Sequence, residues 1–545
     1  MEAITVVLVL LLAVVLSGWV SRALPWPIPR PLVQIALGGV LGMASNLRVT
    51  LDPEVFFLLF LPPLLFLDGW RIPKEEMLRD ASTILELAFG LVIFTVLGVG
   101  FFINWMVPAI PLPVAFALAA VLSPTDPIAV SSIAARVPIP KRLMHILEGE
   151  SLLNDASGLV CLRFAVAATL TGTFSLYDAV LSFAWVALGG IAVGLAVTLA
   201  VTRIKTWVAQ KVGEETGTQI IVSLLIPFGS YLVAEHFHCS GILAAVSAGV
   251  TMSFADARGP LLVATRLQRS TVWDTIAFAA NGMIFVLLGE QLPGIVAGAV
   301  DTVRVTGHHG PEWLIIYVLA ITTALAALRL VWVYVSLQLT IYRATWRGQT
   351  MPHPPWQIVV AASLAGVRGA ITLAGVLTLP LVMLDGSPFP ARDLAILLAM
   401  GVIILSLIAA SVALPLLLQG LEMPADHNQI DQEDLGRVAA AKAAITAVER
   451  TQHALASGRT DADVTVAAAA RIMEYYRSRI DNRSGNGEEA ALARRSEAAE
   501  RDMILAALRA ERGVITGLLR SRKIGTKTAH RLLREVDLLE MRFDS

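Results

Sequence analysis

Apolar stretches long enough to cross a lipid bilayer recur along most of this chain, and they constrain its fold more than any other feature. Inside a bilayer every backbone N–H and C=O group must find a partner within the protein, so such stretches form helices. Hydrophobic residues make up 56% of the 545 residues and charged residues only 16%, a balance that excludes a soluble protein. The sequence therefore predicts an all-α polytopic membrane protein.

Hydropathy, broken by glycine, proline and charge, predicts about 13 transmembrane helices. Their approximate ranges are 3–20, 31–45, 53–68, 83–106, 113–135, 144–171, 178–202, 216–236, 240–254, 271–292, 313–338, 356–381 and 391–419. When the loops alternate from an amino terminus outside the cell, sixteen basic residues fall on one side and three on the other. Because short cytoplasmic loops are enriched in Lys and Arg, this asymmetry places the carboxyl terminus in the cytoplasm.

The character of the sequence changes near residue 421, where we expect a cytoplasmic tail to begin and to extend over residues 421–545. From residue 425 onward the chain carries 20 Lys and Arg and 19 Asp and Glu, nearly half of its charged residues. Helical spacing follows over 435–457, 463–481, 488–513 and 527–542. A helical bundle that aids assembly and a regulatory domain that senses pH, an ion or a nucleotide both remain open.

Charge and cysteine content exclude several classes of function. The net charge of −1 gives no bias toward nucleic acid. Cys161 and Cys239 are too few for a disulfide framework and have no metal-ligand spacing. We therefore expect no cofactor and no nucleic-acid partner, and lipid as the surrounding medium.

Two prolines interrupt the predicted fifth helix within residues 123–127. Pro124 and Pro127 remove two backbone donors and clash with carbonyl groups one turn earlier, so a continuous helix is not expected. A break at membrane depth leaves one helix end with free N–H groups and another with free carbonyl groups, and Asp126 is placed to neutralise the N–H end. A proline kink with a capping aspartate is the alternative.

The predicted sixth helix holds three carboxylates and an amide within residues 148–155, although acids inside a bilayer are costly. Ser151 precedes Asn154 by three residues and Asp155 by four, so the hydroxyl, amide and carboxylate share one helix face. Oxygen donors of this kind bind hard cations, and burial favours the protonated form of a carboxylate. We therefore expect Asp155 to exchange one proton for one monovalent cation, and Glu150 to form an ion pair.

Arg368 lies between Gly366 and Gly369 in the predicted twelfth helix, where a guanidinium must find a carboxylate or free carbonyl groups. The glycines loosen the helix and let another backbone approach closely. An inverted-repeat transporter would place this second interruption opposite the first, so that two broken helices cross at the midplane. We expect Arg368 to neutralise carbonyl ends and to pair with Glu150.

These motifs resemble those of the sodium/proton exchangers among the monovalent cation:proton antiporters, in the bacterial branch related to animal exchangers. The resemblance covers residues 1–420 and rests on Thr-Asp-Pro at 125–127, Gly-Glu-Ser-Leu-Leu-Asn-Asp at 149–155 and Gly-Val-Arg-Gly-Ala at 366–370. Supporting matches are Pro62, Pro63 and Asp68 in the third helix and residues 234–242.

The resemblance implies a homodimer in the bacterial inner membrane with an inverted-repeat antiporter fold and crossed discontinuous helices. Interface helices would lie at about 1–80 and 178–292, and mobile core helices at about 83–171 and 313–420. It also implies that Asp155 binds Na⁺ and H⁺ in turn, with further cation ligands from Ser151 and Thr125. Asn154 and Asp126 would order the site. Such a protein is a transporter for pH and cation homeostasis, not an enzyme.

One carboxylate that carries either a proton or a cation crosses the membrane neutral in both directions, so we predict electroneutral 1:1 exchange.

Two departures from the family pattern affect this site. Leu67 stands where relatives carry an acid, and Asp68 follows it, so Asp68 is assigned only an accessory position. Asn281 stands where animal exchangers carry a glutamate.

Other interpretations stay open. A K⁺/H⁺ antiporter of the same fold would use the same residues, and a passive cation channel would use the broken helices as a filter, although no repeated carbonyl-rich filter sequence is visible. A membrane hydrolase is disfavoured because Ser151 has no histidine on its helix face. Arg163 and Arg329 also lie in apolar spans, and Arg163 has no evident partner.

Overall fold

The computed structural model of the chain is helical, with no strand among the residues that it describes. Those residues are 2–24, 28–44, 53–72, 74–126, 130, 141–172, 176–213, 215–258, 263–305, 312–346, 348, 354–419, 427–456, 462–484 and 488–543. The chain divides into two compact units, Met1–Leu421 and Glu422–Ser545.

The first unit contains the membrane helices. In chain order they are α1 (Glu2–Ala23), α2 (Arg30–Ala44), α3 (Pro53–Arg71), α4 (Lys74–Arg79), α5 (Ala81–Met106, with a π-helical turn at Glu86–Leu91), α6 (Leu112–Leu122), α7 (Lys141–Thr171), α8 (Leu176–Val212), α9 (Thr216–His236), α10 (Gly241–Arg258), α11 (Val263–Val305), α12 (Glu312–Trp346), α13 (Trp356–Leu364), α14 (Ala370–Leu377) and α15 (Arg392–Leu418). Within the described part of the chain, eight helices are long and apolar enough to span a bilayer. The predicted all-α membrane fold is confirmed, whereas the count of about 13 spans stays a prediction.

The membrane helices pack in two groups. In the first group, α2 packs along α11, and α10 packs against α3, α8 and α9. In the second, α6 packs between α5 and α7, while α12 packs against α5, α13 and α15. The groups meet where α11 contacts α15 and where α3 contacts α7 and α14. The assignment of the first group to a static interface domain and the second to a mobile core stays a prediction.

Two predicted spans of the second group contain nonhelical backbone. The predicted twelfth span divides into α13 and α14, with nonhelical backbone over residues 366–369. In the predicted fifth span, α6 ends at Leu122 and nonhelical backbone continues to Asp126. The glycines around Arg368 predict the interruption between α13 and α14, which is confirmed, and α6 ends before Pro124 as expected. Pro127 lies outside the described residues.

The second unit has the four predicted tail helices. They are α16 (His427–Ala456), α17 (Ala462–Ser484), α18 (Glu488–Arg520) and α19 (Thr526–Phe543). The first begins eight residues earlier and the third ends seven residues later than expected, whereas the other ends agree to within three residues. The Arg512 guanidinium joins the last two, because it donates to Asp537 at 2.5 Å and also contacts Glu540. Whether the tail aids assembly or senses a ligand remains open.

Glycines allow α2 and α11 to approach closely. A Cβ atom at Gly38 would overlap the carbonyl oxygen of Val286, and one at Gly289 would overlap the carbonyl oxygen of Ile35. Close backbone approach of this kind maximises van der Waals packing, on which helix association in membranes depends.

Replacing Gly289 by Ala should therefore lower the melting temperature of the purified protein. The new methyl group would overlap the Ile35 carbonyl and lie 2.8 Å from the Gly39 nitrogen, and overpacking of this kind costs about 1–3 kcal/mol. Gly294→Ala is the matched control on the same helix, because no atom lies within 4 Å of its added Cβ. Equal melting temperatures for the two variants in a thermal-shift assay would contradict this packing.

Candidate ion-binding site

The two interrupted helices cross, and their nonhelical segments hydrogen-bond to each other. The backbone N–H of Asp126 donates to the Val367 carbonyl oxygen at 2.7 Å. The buried Arg368 lies at the carboxyl end of α6, where its Nε donates to the Leu122 carbonyl oxygen at 2.9 Å. Its guanidinium also contacts the carbonyl oxygen of Gly366. A cation at a helix carboxyl end compensates the partial negative charge of the free carbonyl groups.

Asp126 lies at the opposite kind of helix end. Its carboxylate packs against Gly369, the residue that precedes α14, and any Cβ atom at position 369 would overlap it. The N–H groups at the start of a helix carry partial positive charge, so a carboxylate is favourable there. The sequence predicts that Asp126 neutralises the second half of its own helix, whose start lies outside the described residues. The structure places it against the second half of the other broken helix.

Glu150 pairs with Arg329, so its predicted pairing with Arg368 is wrong. Arg329 of α12 donates from Nη1 to Oε1 of Glu150 at 2.5 Å and from Nη2 to Oε2 at 2.7 Å. Both side chains are buried, with exposed fractions of 2% and 0%. Arg368 is instead committed to the end of α6, and the missing side chain of Gly366 leaves room for Arg329 to pass.

The same carboxylate organises the neighbouring polar groups. Glu150 Oε1 accepts a hydrogen bond from the Thr125 hydroxyl at 3.3 Å and from Asn154 Nδ2 at 3.4 Å. Asn154 Nδ2 also donates to the Thr125 hydroxyl oxygen at 3.0 Å. All three residues are buried. The Arg329–Glu150 pair therefore fixes α12, α7 and the interrupted segment after α6 relative to one another.

A cavity of about 20 Å³ lies at the crossing of the two broken helices. This volume holds about one water-sized particle. Its lining residues are Leu64, Asp68, Pro124, Thr125, Asp126, Ser151, Asp155, Asn281, Gly369, Ile371 and Thr372. The structure thus brings together Asp155, Ser151, Thr125 and Asp126 of the predicted binding residues, and it adds the accessory Asp68. Asn154 is absent from this lining and contacts the cavity residue Thr125.

Carboxylate and hydroxyl oxygens dominate the polar lining, which suits a hard cation or a proton. Asp155 and Ser151 come from α7, whereas Asp68 comes from α3 of the first helix group. The site therefore lies between the two groups.

Sequence reasoning missed several residues of this site. Leu64 lies one turn before Asp68 on α3, so helical spacing around Asp68 could have indicated it. Thr372 lies in the first turn of α14, and because the backbone at Arg368 is not helical, spacing from Arg368 gives no signal for it. The sequence offers less evidence for the role of Arg329. Three arginines lie in apolar spans, and only packing shows which of them reaches Glu150.

Comparison with known proteins decides the family. The chain matches the family model described as "Sodium/hydrogen exchanger, transmembrane" over residues 8–420. The chain belongs to the sodium/hydrogen exchanger family. This exchanger is 42% identical over 548 residues to the uncharacterized Na(+)/H(+) exchanger YjcE of Escherichia coli (strain K12), a match that covers 99% of the chain and 98% of the relative.

Two further proteins resemble the exchanger. A sodium, potassium, lithium and rubidium/H(+) antiporter of Bacillus pumilus (strain SAFR-032) is 37% identical over 550 residues, with 100% of the chain and 78% of the relative covered. The sodium proton antiporter MjNhaP1 from Methanocaldococcus jannaschii has a TM-score of 0.58 over 77% of this chain and 99% of its own, at 19% identity. That likeness shows the fold. The predicted family and antiporter fold are confirmed.

Removing Arg329 from the exchanger should be strongly destabilising. Arg329→Gln leaves the buried Glu150 carboxylate without its cation, which costs about 3–5 kcal/mol. The double variant Arg329→Gln/Glu150→Gln should recover much of the lost melting temperature, because no unpaired buried charge remains.

Arg343→Gln is the matched control on α12, since Arg343 is 48% exposed in its ion pair with Glu86 and such pairs contribute about 1 kcal/mol or less. If Glu150→Gln rescued Arg368→Gln but not Arg329→Gln, the observed pairing would be contradicted.

Proposed function

We propose that this exchanger transports one monovalent cation in exchange for one proton, with Na⁺ as the first candidate. Asp155 binds the cation and the proton alternately. The small cavity at the helix crossing carries this proposal. Asp155 meets hydroxyl-bearing Ser151 and Thr125 there in a volume that admits about one water-sized particle. A cation in this space must exchange its water shell for protein oxygens. Protonation of Asp155 removes the negative charge that attracts the cation.

The buried charges near the site support electroneutral exchange. Glu150 and Arg329 cancel each other, and Asp126 and Arg368 contribute opposite charges to the same crossing. Asp155 is then the carboxylate of α7 whose charge changes during the cycle. Asp68 lies on α3, in the group predicted to remain static. A mobile core with either a proton or a cation on Asp155 crosses the membrane neutral, so voltage does no work on it.

The choice of cation follows less directly from the site. The Bacillus pumilus relative is named for sodium, potassium, lithium and rubidium, so K⁺ and Li⁺ enter the proposal as competing substrates, and K⁺/H⁺ exchange is the second candidate function. We place the exchanger in a bacterial inner membrane as a homodimer, with its amino terminus outside and its carboxyl terminus in the cytoplasm. There it would serve pH and cation homeostasis.

Voltage should leave the endpoint of exchange unchanged in liposomes that contain the purified exchanger. A tenfold Na⁺ gradient should be balanced by a pH difference of about one unit, because one proton is exchanged for each cation. The membrane potential is set with valinomycin, and liposomes without Na⁺ report any exchange of K⁺ itself. A balance point that moves with the potential would refute 1:1 stoichiometry.

Asp155→Asn should abolish cation-dependent proton movement in everted vesicles, because the amide cannot exchange a proton for a cation. Asp68→Asn should keep exchange but raise the KM for Na⁺ by about tenfold, the effect of losing one charged ligand.

Glu148→Gln is the control on the same helix, because Glu148 is not among the residues that line the cavity, and its exchange should equal wild type. Wild-type cation affinity in Asp68→Asn would remove Asp68 from the site. Proton-coupled exchange that persisted in Asp155→Asn would exclude the proposed mechanism.

A further inference from the structure

An ion pair joins α7, the helix that carries Asp155, to α9 of the other helix group. Arg163 Nη2 donates to Glu235 Oε1 at 2.9 Å. The side chains are partly exposed, at 49% for Arg163 and 34% for Glu235. Neither residue is among those that line the ion cavity, so the ion-binding chemistry gives them no role.

Glu235 is fixed within its own helix group. Its Oε1 also accepts a hydrogen bond from the backbone N–H of Gly241, the first residue of α10, at 3.2 Å. Helix α10 packs in turn against α3, α8 and α9. Glu235 is therefore a preformed acceptor on the first group, and Arg163 reaches it from the second.

The position of the pair along α7 indicates on which side of the ion cavity it lies. Arg163 follows Asp155 by eight residues on α7, which places it about 12 Å further along the helix axis. The distribution of basic residues assigns this end of α7, and the turn between α9 and α10, to the outer side of the membrane. The pair thus bridges the two groups between the ion cavity and the outside. A displacement of α7 along α9 by more than about an ångström breaks a bond of this length.

We propose that Arg163 and Glu235 are positioning residues of the transport cycle, whose ion pair stabilises the state in which the cavity is closed to the outside. The pair must open each time the cavity faces outward. This inference rests on the proposed antiport function and on movement of α7 against α9. Because partly exposed ion pairs contribute modestly, losing this one should shift the balance between the two states by about two- to fivefold without abolishing transport.

The decisive readout is the apparent KM for Na⁺ measured separately at the two membrane faces, in right-side-out and in everted vesicles. Apparent affinity at each face scales with the fraction of molecules open to that face. Arg163→Gln should therefore raise the ratio of inner-face KM to outer-face KM by about two- to fivefold. A solely structural contact would lower the amount of folded protein and leave this ratio unchanged.

Three further variants sharpen the test. Glu235→Gln removes the charge but keeps an oxygen for the Gly241 N–H, and it should shift the ratio as far as Arg163→Gln does. The double variant should shift it no further, because both changes remove the same interaction. Arg163→Lys keeps the charge and should restore a ratio close to wild type.

The control is Arg343→Gln, which removes an ion pair within the second group. The partners of that pair, Arg343 and Glu86, have exposures of 48% and 26%, close to those of Arg163 and Glu235. The KM ratio should not change in this variant. An unchanged ratio in Arg163→Gln, or an equal shift in Arg343→Gln or Arg163→Lys, would overturn the inference. Absence of Na⁺-dependent proton movement in wild-type vesicles would instead refute the proposed function.

Discussion

Backbone groups freed by two broken helices at membrane depth are the constraint on which the rest of this structure depends. Water is absent at that depth, so each free end must be compensated by the protein itself. The exchanger compensates one with Arg368 at the Leu122 carbonyl and another with the Asp126 carboxylate beside Gly369. The hydrogen bond from Asp126 to Val367 ties the two segments together. With both ends neutralised, the crossing forms one wall of a small cavity, which Asp155 also lines and where we propose that it carries the exchangeable charge.

The Arg329–Glu150 pair extends this arrangement to the surrounding helices. Burial makes each of these charges dependent on the other, so neither can be removed alone without a large penalty. The Thr125 hydroxyl, which lines the cavity, is also oriented by the hydrogen bond that it donates to Glu150 and by the one that it accepts from Asn154. The fixed charges of the ion pair and of the two charged groups at the broken helix ends sum to zero, which supports the proposal that one carboxylate on α7 sets the stoichiometry. The Arg163–Glu235 contact lies outside this buried framework, where its smaller energy suits an interaction that forms and breaks during transport.

The sequence predicted those features that follow from local rules. Prolines at 124 and 127 and glycines around Arg368 predict broken helices. The structure has the break at Arg368, and it ends α6 before Pro124. Helical spacing predicts that Ser151 and Asp155 share a face, and the structure brings both side chains to one cavity. The sequence did not predict which of several arginines pairs with Glu150. Arg163, Arg329 and Arg368 all lie in apolar spans, and the one that reaches Glu150 is selected by the space beside Gly366. The direction of the Asp68 side chain likewise depends on how α3 packs, which spacing alone does not give.

The central claim is that Asp155 carries the exchangeable charge, and proton release on cation binding tests it most directly. Purified exchanger in weakly buffered detergent solution receives a pulse of Na⁺ at a pH where the site is protonated, and a pH indicator records the protons released. The account predicts one proton per protomer in the wild type and none in Asp155→Asn, with unchanged release in Glu148→Gln. Equal release from wild type and Asp155→Asn, or Na⁺ binding to the wild type without any release, would contradict it.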